Sequence, residues 1–187
     1  TQLVNPFVAT VVDSLGSPVS GMTVRFAVTG APSGAVGQSL TDTVVVTDAS
    51  GQAVSKFKLG TKVGSYTVLA SSVGLAGSPQ TFIVTAQAGA PAFTSLPSGN
   101  TAIGQVGTTL SQPFVVAVTD SFGNAVIGAN VRYAITSSPS GAIGQGPRDT
   151  TVVSDVQGQT SVRFTTGTKA GSYAMLVSVG SLTPQIV

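Results

Sequence analysis

The stretch TDASGQAVSKFKLGTKVGSY, residues 47–66, returns as SDVQGQTSVRFTTGTKAGSY at residues 154–173. Each copy opens on a D-x-x-G turn (Asp48 to Gly51; Asp155 to Gly158) and closes on the corner G-T-K-x-G-S-Y (Gly60 to Tyr66; Gly167 to Tyr173). Asp and Gly at those offsets are turn chemistry. The carboxylate accepts from backbone N–H groups further along, and glycine takes the left-handed conformation without steric cost. Between turn and corner, Ala53, Ser55, Phe57 and Leu59 share one face while Val54, Lys56 and Lys58 share the other. A period of two with the bulk on one side predicts a half-buried strand. In the second copy Phe164 stands for Phe57 and Arg163 for Lys56, so the core aromatic and the outward base are kept together, as a strand of a sandwich requires.

The likeness extends outward from this stretch. A shift of 107 positions lays the first 70 residues on the second half without a gap, with about half the positions identical. A period that long predicts tandem domains and not a solenoid of short units. Pro6-Phe7-Val8 matches Pro113-Phe114-Val115, Asp13-Ser14-x-Gly16 matches Asp120-Ser121-x-Gly123, and Pro32-Ser33-Gly34-Ala35 matches Pro139-Ser140-Gly141-Ala142. Strands are expected over Phe7 to Val12, with Phe7, Ala9 and Val11 on one face, and around Val24, Phe26 and Val28, with Arg25 outward. Their repeats carry Phe114, Val116 and Val118, then Val131, Tyr133 and Ile135 beside Arg132. Tyr66 and Tyr173 each open a strand after the glycine corner, where a ring packs inward and the hydroxyl returns to the backbone. Gln80 to Gln87 forms the last strand of the first module. The expected division is residues 1–88 and 89–187, joined at Ala88-Gly89-Ala90-Pro91-Ala92, a link too short to be a free tether. The second module opens with Phe93 to Gly107, which has no counterpart before Thr1. The first module therefore lacks an opening strand relative to the second, and the second has a shortened last strand, Pro184 to Val187. Exposed sheet edges follow from both.

Composition narrows the function classes. Among 187 residues only 7% are charged and 42% are hydrophobic, with eight Lys or Arg against six Asp and no Glu. An ordinary domain carries about 25% charged residues, so this surface is built from Ser, Thr, Gln and small side chains. A formal net charge of +2 is no field for holding a polyanion, which argues against nucleic acid as a partner. Cys and His are both absent. That removes disulfides, thiolate metal sites and the commonest general base. No apolar run approaches the roughly 18 residues of a membrane span.

The residues that invite a chemical reading have structural ones beside them. Asp13, Asp48, Asp120 and Asp155 each precede a turn glycine by three residues. Calcium wants about six to eight oxygens; three Asp per module favour turn formation, with calcium at the joint left open. Lys62 and Lys169 sit in the corner loops, where solvent and not an isopeptide partner is expected. Arg25 with Lys56, and Arg132 with Arg163, are read as modest basic patches that keep the sheet face soluble. Without Trp, and with Tyr66, Tyr133 and Tyr173 all reading as structural, no platform for sugars is evident. No catalytic, cofactor-binding or metal-ligating residue is assigned, and no enzyme is expected.

The ordered series P-F-V-x-x-V-x-D-S-x-G, V-R-[FY]-A, [ST]-D-x-x-G-Q and G-T-K-x-G-S-Y, with Gly74-Leu75, Ser78 to Phe82 and the A-G-A-P joint at Ala88 to Pro91, resembles bacterial immunoglobulin-like domains of the invasin/intimin type. The resemblance covers essentially the whole chain. It implies an all-β fold of two tandem immunoglobulin-like β-sandwiches at the bacterial cell surface or outside the cell, and it carries no shared catalytic residues. The expected role is a structural stalk or spacer in a longer tandem array. The alternatives are a filament or sheath subunit that assembles by strand donation between neighbours, and an adhesin module that binds a host or cell-surface ligand. The expected partners are neighbouring immunoglobulin-like modules of the same or an adjacent chain, and a cell-surface ligand for the adhesin reading.

Overall fold

The alternating segments form strands and the glycine-rich segments turn, and the computed structural model describes residues 1–98 and 101–187. Two compact units result, Thr1–Gln87 and Ala88–Val187. Ala88 packs against the core of the second. Part of the segment Phe93 to Gly107 that opens the second unit, residues 99 and 100, lies outside the described residues. Among the described residues no helix is long and apolar enough to cross a membrane.

The first unit holds β1 (Phe7–Thr10), β2 (Thr23–Gly30), β3 (Ser39–Leu40), β4 (Val44–Val46), β5 (Gln52–Ser55), β6 (Phe57–Lys58), β7 (Gly64–Ser71) and β8 (Gln80–Ala86). One sheet has the order β4-β2-β7-β8, and facing it are the pairs β1-β5 and β3-β6. All pairings are antiparallel. The segment read as one strand from Ala53 to Leu59 is two. At Lys56 it leaves β1, and beyond it the strand lies between β3 and the residues Thr1 to Leu3, with Thr41 N–H donating to the Lys56 carbonyl at 2.9 Å, Lys56 N–H to Thr41 Oγ1 at 3.0 Å and Leu3 N–H to the Phe57 carbonyl at 2.9 Å. The face assignment is unaffected: Ala53, Ser55 and Phe57 are buried and Lys56 is exposed. Ser55 is buried because its hydroxyl donates to the Asp42 carbonyl at 2.7 Å, which satisfies an otherwise costly polar group.

The second unit holds β9 (Phe93–Ser98), β10 (Phe114–Thr119), β11 (Asn130–Ser137), β12 (Thr150–Val153), β13 (Gln159–Val162), β14 (Ala174–Val179) and β15 (Gln185–Ile186). Its sheets run β12-β11-β14-β15 and β13-β10-β9. Each unit closes on its own core: Phe7, Phe26, Phe57, Tyr66 and Val68 in the first, and Phe114, Val116, Tyr133, Phe164 and Met175 in the second.

The turn glycines have a backbone reason. Gly51 and Gly158 sit at φ 72°, and a Cβ on them would lie 2.5 Å from the Val11 carbonyl and 2.7 Å from the Val118 carbonyl. Those same positions accept from Val11 N–H and Val118 N–H at 2.8 Å, so each hairpin turn is laced to the neighbouring strand.

One difference between the cores is a coordinated exchange. Tyr133 and Thr160, fully and almost fully buried, share a hydrogen bond of 2.5 Å. Their counterparts in the first unit are Phe26 and Ala53, both buried and without a side-chain hydroxyl. Burial pushes the Tyr133 phenol above its usual pKa, against the opposing hydrogen bond from Thr160. Thr160→Ala is therefore expected to cost the second unit about 1–3 kcal/mol by leaving the phenol unpaired. Tyr133→Phe with Thr160→Ala recreates the first unit's pair and recovers most of that loss. Urea denaturation of the two singles and the double, read on the second unit's transition, checks this; equal loss in Thr160→Ala and in the double mutant counts against it.

Candidate functional site

Every Asp singled out in the turns is occupied by its own backbone. Asp13 Oδ1 accepts from Leu15 and Ser17 N–H, both at 2.9 Å. Asp155 Oδ1 does the same for Gln157 and Gln159 at 2.9 Å. Asp48 adds the Ser50 hydroxyl at 2.6 Å, the first of the hydrogen bonds that hold its carboxyl below the usual pKa. These are Asx turns, in which the side chain caps the following residues. Among the described residues no three metal-ligating side chains come together.

Asp120 differs from Asp13 although their motifs match. It is 2% exposed and takes four donors: Phe122 N–H, Asn124 N–H and Asn124 Nδ2 at 2.9 Å, and Gly89 N–H at 3.0 Å. Burial by itself raises the carboxyl; the bonds from the Asn124 side chain, Gly89, Asn124 and Phe122 override it and bring the pKa to about 2. With Ala92 N–H donating to the Thr119 carbonyl at 2.8 Å, the start of the second unit is fixed to its own sandwich.

Both tyrosine corners form. Tyr66 Oη donates to the Lys62 carbonyl at 2.7 Å and Tyr173 Oη to the Lys169 carbonyl at 2.6 Å. The two lysines thus contribute main-chain acceptors to the corners. The basic pairs read from sequence do not assemble as patches. Arg25 belongs to β2, in one sheet, and Lys56 follows β5 in the facing one, so their outward side chains leave from opposite faces. In the second unit Arg132 forks onto Asp149 at 2.5 and 2.7 Å, while Arg163 Nη1 donates to the Ser111 carbonyl at 3.1 Å. Hydrogen bonding to Arg132 holds the exposed Asp149 carboxyl below its usual pKa. A polar cleft of about 460 Å³ lies beside this pair, bordered also by Ser138, Gln145 and Arg148.

The largest departures from regular pairing are at sheet edges. β10 is flanked by β13 and β9, whereas its counterpart β1 pairs with β5 alone. In the second unit β15 has two residues where β8 has seven. Next to Val187, which follows β15, lies a cavity of about 750 Å³ lined by Phe114, Phe164, Tyr173 and Met175 and by residues 101–106 as well.

No family model matches the sequence, and no curated protein matches it. Solved structures do match. FdeC, described as an Escherichia coli adhesin, is 19% identical at a TM-score of 0.53, covering 94% of this chain and 55% of that one. InvD of Yersinia pseudotuberculosis is 20% identical at a TM-score of 0.52, covering 96% of this chain and 50% of that one. The fold is that of invasin/intimin-type immunoglobulin-like domains. The chain spans about half the length of these two structures. Against the D0-D1 domain of intimin the identity is 20% and the TM-score 0.36, with 95% of this chain and 83% of that one covered. Within the invasin/intimin-type fold, the residues that repeat between the two units are those of core, turn and corner. Sequence reading missed Asn124, Ser55 and Thr160 as partners of buried polar groups. The signal available for Thr160 was its change from Ala53 in step with Phe26 becoming Tyr133.

Proposed function

We propose that the two immunoglobulin-like units are a structural spacer in an exported bacterial surface protein, holding a distal function away from the cell. The observation that carries this reading is what the 107-residue repeat retains: the Phe57/Phe164 core, the Asp48/Asp155 turns and the Tyr66/Tyr173 corners, all of them bonded or packed inside their own unit. A spacer needs units that resist unfolding, and nothing else is asked of their surfaces. The similarity to FdeC, described as an adhesin, supports a place at the cell surface. The absence of His and Cys from the sequence supports a role without enzymatic chemistry.

Single-molecule stretching tests this. The purified chain is expected to stay monomeric and to give two unfolding steps, each releasing roughly 30 nm at about 3.4 Å per residue. Concentration-dependent fibres in electron micrographs overturn the spacer in favour of a strand-donating filament subunit. Cell binding by the purified chain that is lost in Arg25→Ala or Lys56→Ala overturns it in favour of direct adhesion.

A further inference from the structure

β12 parts from β11 before β11 ends. The two pair from Asn130 opposite Val153 to Tyr133 opposite Thr150, and the same register carried on would set Ala134 opposite Asp149 and Ile135 opposite Arg148. Those pairs do not form. Asp149 stands at φ 36°, the one residue other than glycine among those described with a positive φ, and there the chain turns away. Asp enters the left-handed region more readily than most side chains, and the fork from Arg132 ties its carboxylate back to β11. The polar cleft of about 460 Å³ is lined by both parted segments, Ala134 to Ser138 on one and Arg148 with Asp149 on the other.

The backbone of β11 faces this cleft with unused groups. Met175 N–H donates to the Val187 carbonyl at 2.8 Å, and the Met175 carbonyl accepts from Val187 N–H at 2.9 Å, so both groups of Met175 point away from β11. Ile135 lies opposite Met175. That antiparallel pair is therefore a non-bonded one, and the N–H and C=O of Ile135 face the other way, to the side that β12 has left. Arg148 is the residue that the register assigns to them.

The first unit parts its strands at the matching place with different side chains. Thr41, in the place of Arg148, is tied across to the facing sheet, its N–H donating to the Lys56 carbonyl at 2.9 Å and its hydroxyl accepting from Lys56 N–H at 3.0 Å. Gly30 and Ala31 stand where Ser137 and Ser138 do. The second unit thus adds a guanidinium and two hydroxyls at one cleft. Gln145 Nε2 donates to Ser138 Oγ at 3.4 Å, which leaves the proton of that hydroxyl for another acceptor. Arg132 is neutralised by Asp149, whereas the guanidinium of Arg148 has no partner among the described residues. One uncompensated positive charge therefore stands beside an unpaired stretch of strand.

We propose that this cleft binds a short acidic peptide segment: its extended backbone pairs with Ile135, its carboxylate side chain takes the fork of Arg148, and Ser137 and Ser138 donate to its carbonyls. Arg suits a carboxylate because two parallel N–H groups meet the two oxygens. The volume lies within the range of small-ligand sites, which suits a few residues and not a whole strand. Unpaired backbone is the complement of a peptide, and the absence of aromatic residues from the lining disfavours an acidic sugar. This inference does not rest on the spacer role.

The test uses the whole chain, labelled for amide NMR and titrated into the millimolar range with the blocked tripeptide acetyl-Thr-Glu-Thr-amide or with the same peptide carrying Gln for Glu. Saturable shifts are expected at Ile135, Ser137, Ser138 and Arg148, with Val28, Gly30, Ala31 and Thr41 of the first unit unmoved. The Gln peptide is expected to bind about tenfold or more weakly, the share of a hydrogen bond to a charged group. Arg148 is exposed, so Arg148→Ala leaves both cores intact; it is expected to lose the same factor toward the Glu peptide and none toward the Gln peptide. Equal affinity for the two peptides overturns the proposal, as does an Arg148→Ala chain that binds the Glu peptide like the original. Glucuronate that saturates the same amides at a lower concentration than the Glu peptide also overturns it, by giving the cleft to an acidic sugar, and so does the absence of saturable shifts with the Glu peptide. The stretching experiment reads the spacer role separately.

Discussion

Phe57→Ala lowers the stability of the first unit by about 3–5 kcal/mol and leaves the second unit's transition where it was. The side chain is fully buried, and its ring lies 5.8 Å from both Phe7 and Tyr66, stacked on the first and edge-on to the second. Truncation loses the transfer free energy of the ring and opens a cavity that strands pinned on both sides cannot fill. The counterpart, Phe164, keeps the same neighbours, with Phe114 at 6.2 Å and Tyr173 at 5.7 Å, but it borders the open cavity beside β15. Where one wall is already open, less packing is lost. Phe164→Ala is expected to cost the second unit less, at or below the low end of the same range. Denaturant titration of both variants, with a probe in each unit, measures the pair. A cost for Phe164→Ala equal to or above that of Phe57→Ala would mean that the aromatic floor of the second unit is closed in solution.

The second large effect is an acid sensitivity of the second unit. Asp120 has a pKa of about 2 in the folded chain against 3.8 for the unperturbed group. A depressed folded pKa contributes stability that is fully present above the unfolded value and lost as pH falls through the folded one. The window is therefore from just above pH 4 down to about pH 2. At about 1.4 kcal/mol per pH unit of displacement, the contribution is about 2 kcal/mol. Asp120→Asn should make the fall of the second unit's stability across that window shallower, leaving the part that Asp149 carries through Arg132. It should also lower its stability at neutral pH, since an amide nitrogen replaces an oxygen that accepts from Gly89 and Asn124. Denaturation midpoints of both chains at pH 5 and pH 2 decide it. A parallel fall in wild type and Asp120→Asn would place the acid sensitivity elsewhere.

The contrast between Asp120 and Asp13 shows where sequence reading stops. Both D-S-x-G turns were legible, and both form. That one carboxylate is buried and the other exposed depends on Asn124 standing where Ser17 does, and on Gly89 arriving from 31 residues away. The alternation of Phe7 and Val11, of Val24 and Phe26, and of Ala53 and Phe57 was legible because period two survives any partner. The break at Lys56 was not, since it comes from a change of neighbours, from β1 to Thr1–Leu3 on one side with β3 added on the other. Nor was the loss of strand at Tyr173, whose local sequence is the same as at Tyr66. The assignment of Arg25 and Lys56 to one patch failed for a related reason: alternation says which residues point outward, and not from which sheet. Among the described residues the ion pair of Arg132 with Asp149 is not repeated by Arg25 and Asp42, so a repeated residue pair did not guarantee a repeated contact.

Two units so alike in sequence, made on one chain, face a hazard during synthesis, because a strand of one can be taken up by the other. The Tyr133–Thr160 pair makes that exchange costly in one direction. If the segment bearing Ala53 were to enter the second unit in place of β13, the Tyr133 phenol would be buried with nothing to bond to, at a cost of about 1–3 kcal/mol. That is a discrimination of roughly five- to 150-fold between the right strand and its near-copy. The hydroxyl pair thus acts as a mark of identity between repeats, and the first unit, with Phe26 and Ala53, carries the unmarked form.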